Sequence, residues 1–199
     1  MHEPPALPRF AGSNYTWCMP NYIRWYENGA TYFFTVVTYD RREIFATDMA
    51  RTLLRTAIES VRERLPFEMP AMVLLPDHLH CIWTLPVDDH DFSQRWQQIK
   101  GRFSHDFLAA DLVERRPSPA AQKQRRRGIW QPRFYEHRMR DEREFDQYRA
   151  YIHLNPVKHG YVERPQDWAW SSIHRHIEKG WLDPLWPGSS PVELPEFQE

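Results

Sequence analysis

Hydrophobic and polar positions along this chain follow the periods of a mixed α+β protein. Three runs rich in β-branched and aromatic residues predict strands over 31–39, 69–75 and 78–85. Only residues 76–77 separate the second run from the third, and so short a connection predicts a hairpin. A fourth short strand is predicted within residues 129–139. We therefore expect four strands, two of them joined directly.

Apolar residues recur at helical spacing in three segments, from residue 48 to about 64, from 93 to about 107 and from 142 to about 154. The expected N-caps are Asp48, Ser93 and Asp141. Pro156 should end the third helix, because proline has no N–H to donate. The resulting order, β-α-β-β-α-β, is the ferredoxin-like pattern. It predicts an α+β fold with an antiparallel sheet, in which 78–85 is a central strand, and an additional C-terminal helix.

The composition favours one globular domain. The chain has 199 residues, of which 41% are hydrophobic and 15% aromatic, enough to form a core. We assign the domain to residues 21–180, with a proline-rich arm over 1–20, a basic loop over 110–128 and an acidic tail over 181–199. Two cysteines are too few for a disulfide framework, which favours a reducing cytosol. No apolar run is long enough to span a bilayer, so no membrane partner is expected.

Two histidines lie close together on the third predicted strand. Side chains alternate along a strand, so His78 and His80 point to one face and Leu79 and Cys81 to the other. Two imidazoles about 7 Å apart along a strand can converge on one metal ion or one phosphate. The alternative is a pair of half-buried histidines whose nitrogens are satisfied by hydrogen bonds. The pattern alone does not separate these interpretations.

Charge is strongly segregated along the chain. Residues 92–140 carry a net charge of +8, whereas residues 181–199 carry −4. A basic block interleaved with aromatic residues predicts a nucleic-acid site, although a solvated charged face is the alternative. The acidic tail could lie over this block and compete with DNA, or could simply be solvated. The candidate phosphate-binding residues are Lys123, Arg125, Arg126, Arg127 and Arg133, and the candidate base-stacking residues are Trp130 and Tyr135.

A tyrosine and an asparagine are paired near the end of the third predicted helix. Tyr151 and Asn155 are four residues apart, so they lie on the same helix face. Such a face can present a phenol and an amide oxygen to one point. Alternatively, Tyr151 belongs to the core and Asn155 only marks the end of the helix.

Three motifs in this order resemble a known family. They are Pro-Asp-His-Leu-His-Cys-Ile-Trp-Thr-Leu-Pro from Pro76, Ile-Trp-Gln-Pro-Arg-Phe-Tyr-Glu-His-Arg-Met-Arg from Ile129, and Tyr-Ile-His-Leu-Asn-Pro-Val-Lys-His-Gly from Tyr151. Together they resemble the REP-associated tyrosine transposases, which are single-tyrosine members of the HUH (His-hydrophobe-His) nucleases. The resemblance extends over roughly residues 22–180.

The resemblance implies a role for each matching residue. His78 and His80 match the paired metal-binding histidines, Tyr151 the catalytic tyrosine, and Asn155 the polar residue that completes the metal site. The implied cofactor is Mg²⁺ or Mn²⁺. The implied reaction is cleavage and rejoining of single-stranded DNA through a 5′-phosphotyrosine intermediate. The implied substrate is hairpin DNA from REP-like palindromes. We expect a monomeric enzyme in the bacterial cytoplasm, associated with the nucleoid.

Two other functions are compatible with the residues. The histidines could serve a metal-dependent nuclease that uses an activated water, with Tyr151 only structural. The basic block could instead belong to a non-catalytic hairpin-DNA binding protein. The sequence has no Gly-x-x-x-x-Gly-Lys loop, so nothing indicates nucleoside-triphosphate chemistry. This agrees with a reaction that conserves its phosphoester energy.

Overall fold

A computed structural model describes residues 27–110, 128–188 and 192–195. In chain order its strands and helices are β1 (Thr31–Val37), α1 (Asp48–Arg64), β2 (Glu68–Leu74), β3 (His78–Thr84), α2 (Phe92–Ala109), β4 (Tyr135–Arg138), α3 (Glu142–Lys158) and α4 (Ile173–Glu178). Short 3₁₀ turns cover Tyr39–Arg41, Ile44–Ala46 and Pro165–Asp167. Each of the four predicted strands is present, with ends that differ from the prediction by a few residues.

The four strands form one antiparallel sheet in the order β2-β3-β1-β4. This is the strand order of the ferredoxin-like fold, so the predicted α+β class is confirmed. β3 pairs with β1 on one side and β2 on the other, which makes it a central strand as expected. The register between β1 and β3 places Thr35 opposite His80 and Val37 opposite His78. The histidine strand is therefore held along both edges.

Alternate residues of the central strands enter two different cores. Phe34 on β1 and Trp83 on β3 belong to the core that includes α1 and α2, where the Trp83 ring stacks on Trp96 at 4.2 Å between ring centroids. Phe33 and Ile82 belong to the core on the other face, which α3 covers. Because both faces are covered, β3 is buried along nearly its whole length. Polar side chains on β3 therefore need a specific reason to be there.

Two of the three expected N-caps are wrong by one or two residues. The Thr47 hydroxyl, not Asp48, accepts the hydrogen bond from the Ala50 N–H at 3.3 Å. The Asp91 carboxylate, not Ser93, accepts from the Gln94 N–H at 2.8 Å. At the start of each helix several polar residues lie close together. The residue that caps the helix is the one whose backbone is still non-helical. Asp141 caps α3 as predicted.

The predicted end of α3 is wrong. The helix continues through Pro156 and reaches Lys158. After the C-cap residue His159 the chain turns away at Gly160, whose φ of +72° is a left-handed conformation that suits glycine. The Tyr161 N–H then donates to the Pro156 carbonyl at 2.9 Å, as in a Schellman motif. Proline removes one hydrogen bond from the ladder, but the rest of the last turn is retained.

The predicted appendages lie largely outside the described residues. This holds for the whole 1–20 arm, for most of the 110–128 loop and for part of the acidic tail. In the described part of the tail, Glu193 accepts hydrogen bonds from Arg143 at 2.9 Å and Gln147 at 3.2 Å, both on α3. These partners are not part of the basic block of residues 92–140. Within the described ranges, no helix is both long enough and apolar enough to cross a membrane.

Candidate active site

The two histidines of β3 lie side by side beneath α3. Both imidazoles are buried, and their ring centroids are 4.8 Å apart. Their neighbours Leu79 and Cys81 point into the core on the opposite face of the sheet. The predicted alternation along this strand is therefore confirmed, and it brings two ring systems to one place.

Each imidazole is held through its Nδ1 atom. His78 Nδ1 donates to the Asp77 carboxylate at 2.5 Å, and His80 Nδ1 is hydrogen-bonded to the Thr35 hydroxyl at 2.9 Å. In both rings this leaves Nε2 as the nitrogen that can bind a metal ion. His78 Nε2 is buried and has no hydrogen-bond partner among the described residues. A buried imidazole nitrogen in this state fits a metal ligand, because burying it without a partner costs free energy.

Asp77 links His78 to a cation. The other Asp77 oxygen accepts from Arg41 Nη1 at 3.0 Å. Burial acts to raise the pKa of the Asp77 carboxyl, but the hydrogen bond from His78 and the Arg41 guanidinium outweigh it and hold the pKa below its usual range. Arg41 and Asp40 have positive φ values of 47° and 53°, a strained conformation for residues with side chains. The backbone at Asp40 and Arg41 is therefore locally strained, and Arg41 contacts the Asp77 that holds His78.

α3 places Tyr151 over the histidine strand and carries Asn155 on the same helix face. The Tyr151 ring centroid is 5.3 Å from that of His80, and the Tyr151 side chain is almost fully buried. Asn155 follows one helical turn later and is completely buried. Because the helix is continuous past Asn155, both residues keep the same face toward the sheet. The predicted grouping of Tyr151 with the histidines is present in the structure.

The end of α3 and its C-cap add two residues that sequence reasoning missed. Lys158 Nζ donates a hydrogen bond to the Tyr151 hydroxyl at 3.2 Å. The His159 ring centroid is 5.2 Å from that of His78, and burial together with the nearby His78 lowers the pKa of His159 to about 4. One sequence signal could have located them. Gly160 is typical of the position after a helix end, which would have extended the predicted helix to Lys158.

Tyr148 occupies a different environment on the same helix. Its ring packs on Phe33 at 4.6 Å between centroids, and its hydroxyl is hydrogen-bonded to that of Tyr135. Burial and the Tyr135 hydroxyl raise the pKa of Tyr148 well above the ordinary tyrosine value. Such a phenol is harder to ionise and is therefore a poorer candidate nucleophile. Tyr135 itself is partly buried, and burial also raises its pKa.

Three of the candidate DNA-binding residues, Trp130, Arg133 and Tyr135, lie within the described residues. Trp130 packs against Phe45 and Phe103 at 5.6 Å and 5.2 Å between ring centroids, in the core on the face away from the histidines. Arg133 is exposed. Lys123, Arg125, Arg126 and Arg127 lie outside the described residues. Trp130 is only partly buried. The part that these residues play in DNA binding stays a prediction.

A metal ion at this site would need a ligand besides the histidines. In the described ranges there is no group of three or more His, Cys, Asp or Glu side chains able to hold a metal ion. The predicted ligand set is of another kind, since it combines two imidazoles with the amide oxygen of Asn155. The anchored Nδ1 atoms and the buried His78 Nε2 fit that set.

Comparison with known proteins identifies the family. Residues 27–155 match the model of the IS200-like transposases. The chain is 42% identical to the REP-associated tyrosine transposase of Escherichia coli (strain K12) over 170 residues, which cover 85% of this chain and 92% of that protein. The chain belongs to the REP-associated tyrosine transposases. The family resemblance expected from the three motifs is thereby confirmed.

Other relatives of this REP-associated tyrosine transposase agree with the assignment. A putative REP-associated tyrosine transposase of Haemophilus influenzae (strain ATCC 51907 / DSM 11121 / KW20 / Rd) is 38% identical over 176 residues, covering 88% of this chain and 98% of that protein. The solved structure of a REP-associated tyrosine transposase bound to a REP hairpin matches with a TM-score of 0.72 at 38% identity. That match covers 91% of this chain and all of the other. The similarity therefore includes the whole ferredoxin-like core.

Proposed function

We propose that this transposase cleaves and rejoins single strands of REP-like hairpin DNA through a covalent link to Tyr151. The observation that carries the proposal is the position of the Tyr151 phenol, whose ring lies 5.3 Å from the ring of His80, between centroids, and whose hydroxyl contacts Lys158. A nucleophile beside two anchored imidazoles is the arrangement that phosphodiester transfer needs. Family membership supports the same chemistry.

The reaction uses the phenol as both nucleophile and carrier. Tyr151 Oη forms a bond to the phosphorus atom while the bond from phosphorus to the 3′-oxygen breaks. The products are a 5′-phosphotyrosine link and a DNA strand with a free 3′-hydroxyl. Because the link is still a phosphodiester, attack by a 3′-hydroxyl reverses the step and joins two strands without a nucleoside triphosphate. An ordinary tyrosine has a pKa of about 10, so the site must favour the ionised phenol.

His78, His80 and Asn155 would hold the metal ion, with Mg²⁺ or Mn²⁺ as the proposed species. Imidazole ligands suit Mn²⁺ better, whereas oxygen ligands suit either ion. A divalent ion supplies positive charge to the non-bridging oxygens of the scissile phosphate. The chain's own contribution is to fix both imidazoles through Asp77 and Thr35.

The proposed substrate is inferred from the DNA that a relative of this chain binds. A REP hairpin is bound in the solved structure of a protein 38% identical to this one. We propose that this transposase binds the same class of DNA as a monomer in the bacterial cytoplasm, in association with the nucleoid. Its net charge of +8 over residues 92–140 supports binding of a polyanion.

The basic run from Lys123 to Arg127 should bind phosphates without reading sequence. Replacing its four cationic residues with glutamine should reduce the salt dependence of DNA binding by up to about 0.7 per lost contact. Preference among hairpin sequences should hardly change. Fluorescence anisotropy at several salt concentrations measures both quantities. Arg164→Gln is the control, since Arg164 is already paired with Asp167. Lost sequence preference with an unaltered salt slope would show base readout instead.

Asp77 should support metal binding through His78. Asp77→Asn keeps the shape of the side chain but removes the charge that orients the imidazole. We expect Mn²⁺ affinity to fall by about 10–100-fold, the usual effect of losing a partner of a metal-binding histidine. Isothermal calorimetry with Mn²⁺ measures it. Asp167→Asn, at an exposed ion pair with Arg164, is the matched control. Unchanged Mn²⁺ affinity in Asp77→Asn would contradict the proposed ligand set.

One assay separates the proposed reaction from its two alternatives. The protein is incubated with Mn²⁺ and an end-labelled single strand that contains a REP-like hairpin, and the products are resolved on a denaturing gel. A labelled band at the mass of a protein–DNA adduct supports tyrosine transfer. Cleavage without an adduct would indicate a metal-dependent nuclease that uses water. Binding without cleavage would indicate a hairpin-DNA binding protein.

A further inference from the structure

We propose that Lys158 is a further catalytic residue, whose ammonium group stabilises the ionised Tyr151 phenol during attack on the phosphate. The inference rests on the proposed function of Tyr151 as the nucleophile. It adds a specific group to that function, because Lys158 Nζ donates a hydrogen bond to the Tyr151 hydroxyl. A positively charged hydrogen-bond donor at the reacting oxygen favours the phenolate, which makes the phenol nucleophilic at neutral pH.

Two contacts fix the position of Lys158. Its Nζ atom lies 3.2 Å from Tyr151 Oη and 4.9 Å from the centroid of the Tyr151 ring. The ammonium therefore contacts both the oxygen and the π face of the same side chain. Lys158 is exposed as a residue, and its contact with Tyr151 lies where the side chain becomes partly buried. The geometry orients the cation on the atom that reacts.

The continuity of α3 makes this contact possible. Tyr151, Asn155 and Lys158 occupy positions i, i+4 and i+7, which share one face of a helix. A helix that stopped before Pro156 would release Lys158 from this face. The Schellman motif at Gly160 instead completes the last turn immediately after Lys158. The proline-containing end of α3 therefore positions the Lys158 amine beside Tyr151 as well as ending the helix.

The surroundings of Lys158 make it a stronger hydrogen-bond donor. Partial burial of the amine and the nearby Arg41 guanidinium lower the pKa of Lys158 from its ordinary value. The ordinary pKa values of lysine and tyrosine already lie close together. Tyr151 and His159 are titratable groups close to this amine. An ammonium group with a lowered pKa donates a stronger hydrogen bond to the phenol oxygen.

The proposed step balances without a further reactant. The Tyr151 proton leaves to solvent, and Lys158 remains an ammonium that donates to the resulting phenolate. The Oη–phosphorus bond forms as the bond from phosphorus to the 3′-oxygen breaks, and the departing oxygen takes a proton from solvent. In the joining direction the phenolate is the leaving group, and the same ammonium stabilises it. Lys158 therefore contributes to both directions.

The first test reads the Tyr151 pKa directly and needs no activity. Tyrosine labelled with ¹³C at Cζ is titrated by NMR, and the Tyr151 resonance is assigned from its loss in Tyr151→Phe. A cation within hydrogen-bond distance lowers a neighbouring acid's pKa by about 1–3 units, so Lys158→Met should raise the Tyr151 pKa by at least about one unit. Lys158→Arg should leave the Tyr151 pKa unchanged, because it keeps the positive charge. Lys179→Met is the control, since Lys179 lies over Trp181 in a similar contact elsewhere. An unchanged Tyr151 pKa in Lys158→Met overturns the proposal.

The second test follows adduct formation in a single turnover. At pH 7, Lys158→Met should form the adduct at least about tenfold more slowly than the unmodified protein, because a pKa change of one unit alters the phenolate fraction tenfold. The difference should shrink as the pH approaches the phenol pKa. DNA affinity and the melting temperature should stay unchanged, and Lys158→Gln should behave like Lys158→Met. A deficit that is constant with pH, or a matching loss of DNA affinity, refutes the catalytic role. If the unmodified protein forms no adduct, the proposed function fails, while the NMR titration still decides whether Lys158 lowers the Tyr151 pKa.

Discussion

Tyr151→Phe should leave a folded protein that binds hairpin DNA but forms no covalent adduct and neither cuts nor joins the strand. Phenylalanine keeps the ring that packs beside His80 and Phe33, so the buried contacts survive. Only the hydroxyl is lost, and with it the reacting oxygen. Removing the nucleophile of an enzyme that works through a covalent intermediate costs at least about 10⁴-fold in rate. Denaturing electrophoresis with labelled hairpin DNA measures the loss, and circular dichroism checks the fold.

Tyr148→Phe provides the matched control, since Tyr148 is on the same helix and also faces the sheet. Its hydroxyl is hydrogen-bonded to Tyr135, and its pKa is raised by burial, so it is poorly suited to attack. We expect Tyr148→Phe to form adducts at a rate close to that of the unmodified protein. Mass spectrometry of the trapped adduct should place the nucleotide on the peptide that contains Tyr151. A nucleotide on Tyr148 or Tyr135, or an active Tyr151→Phe protein, would refute the mechanism.

The parts of the fold that depend on local pattern were predictable. β1 and β3 are rich in β-branched or aromatic residues, so the sequence predicted both segments to be strands. The face of β3 that carries His78 and His80 followed from strand alternation alone. The end of α3 did not follow, because the rule that proline stops a helix is a local one. Tertiary packing overrides it here, with Pro156 buried inside the helix.

The partners of the site were not predictable, because they depend on strand register. Thr35 reaches His80 only because β1 and β3 pair in the register that sets these residues opposite each other, although 45 positions separate them. The contact between Arg41 and Asp77 likewise joins distant segments through a strained backbone. Sequence reasoning located the groups proposed to react. The residues that orient those groups appeared only with the three-dimensional structure.

His80→Ala should abolish both metal binding and DNA cleavage while leaving DNA binding largely intact. The His80 ring lies next to both the other proposed metal-binding imidazole and the nucleophile, with centroid distances of 4.8 Å to His78 and 5.3 Å to Tyr151. Losing a residue that merely orients a metal ligand costs about 10–100-fold, so losing the ligand itself should weaken Mn²⁺ binding by more than about 100-fold. Calorimetry with Mn²⁺ measures this without relying on activity.

Two further variants separate a ligand role for His80 from a packing role. Thr35→Val removes the hydroxyl that anchors His80 Nδ1 but leaves the imidazole in place, so its Mn²⁺ affinity should fall less than that of His80→Ala. His174→Ala should change nothing, since His174 is exposed and contacts only the Trp168 backbone carbonyl in the described hydrogen bonds. Thermal melting of all three checks the fold. If His80→Ala kept its Mn²⁺ affinity, the histidine pair would be structural. Tyr151 would then have to react without a metal ion held by these residues, with Lys158 as the cation in contact with its oxygen.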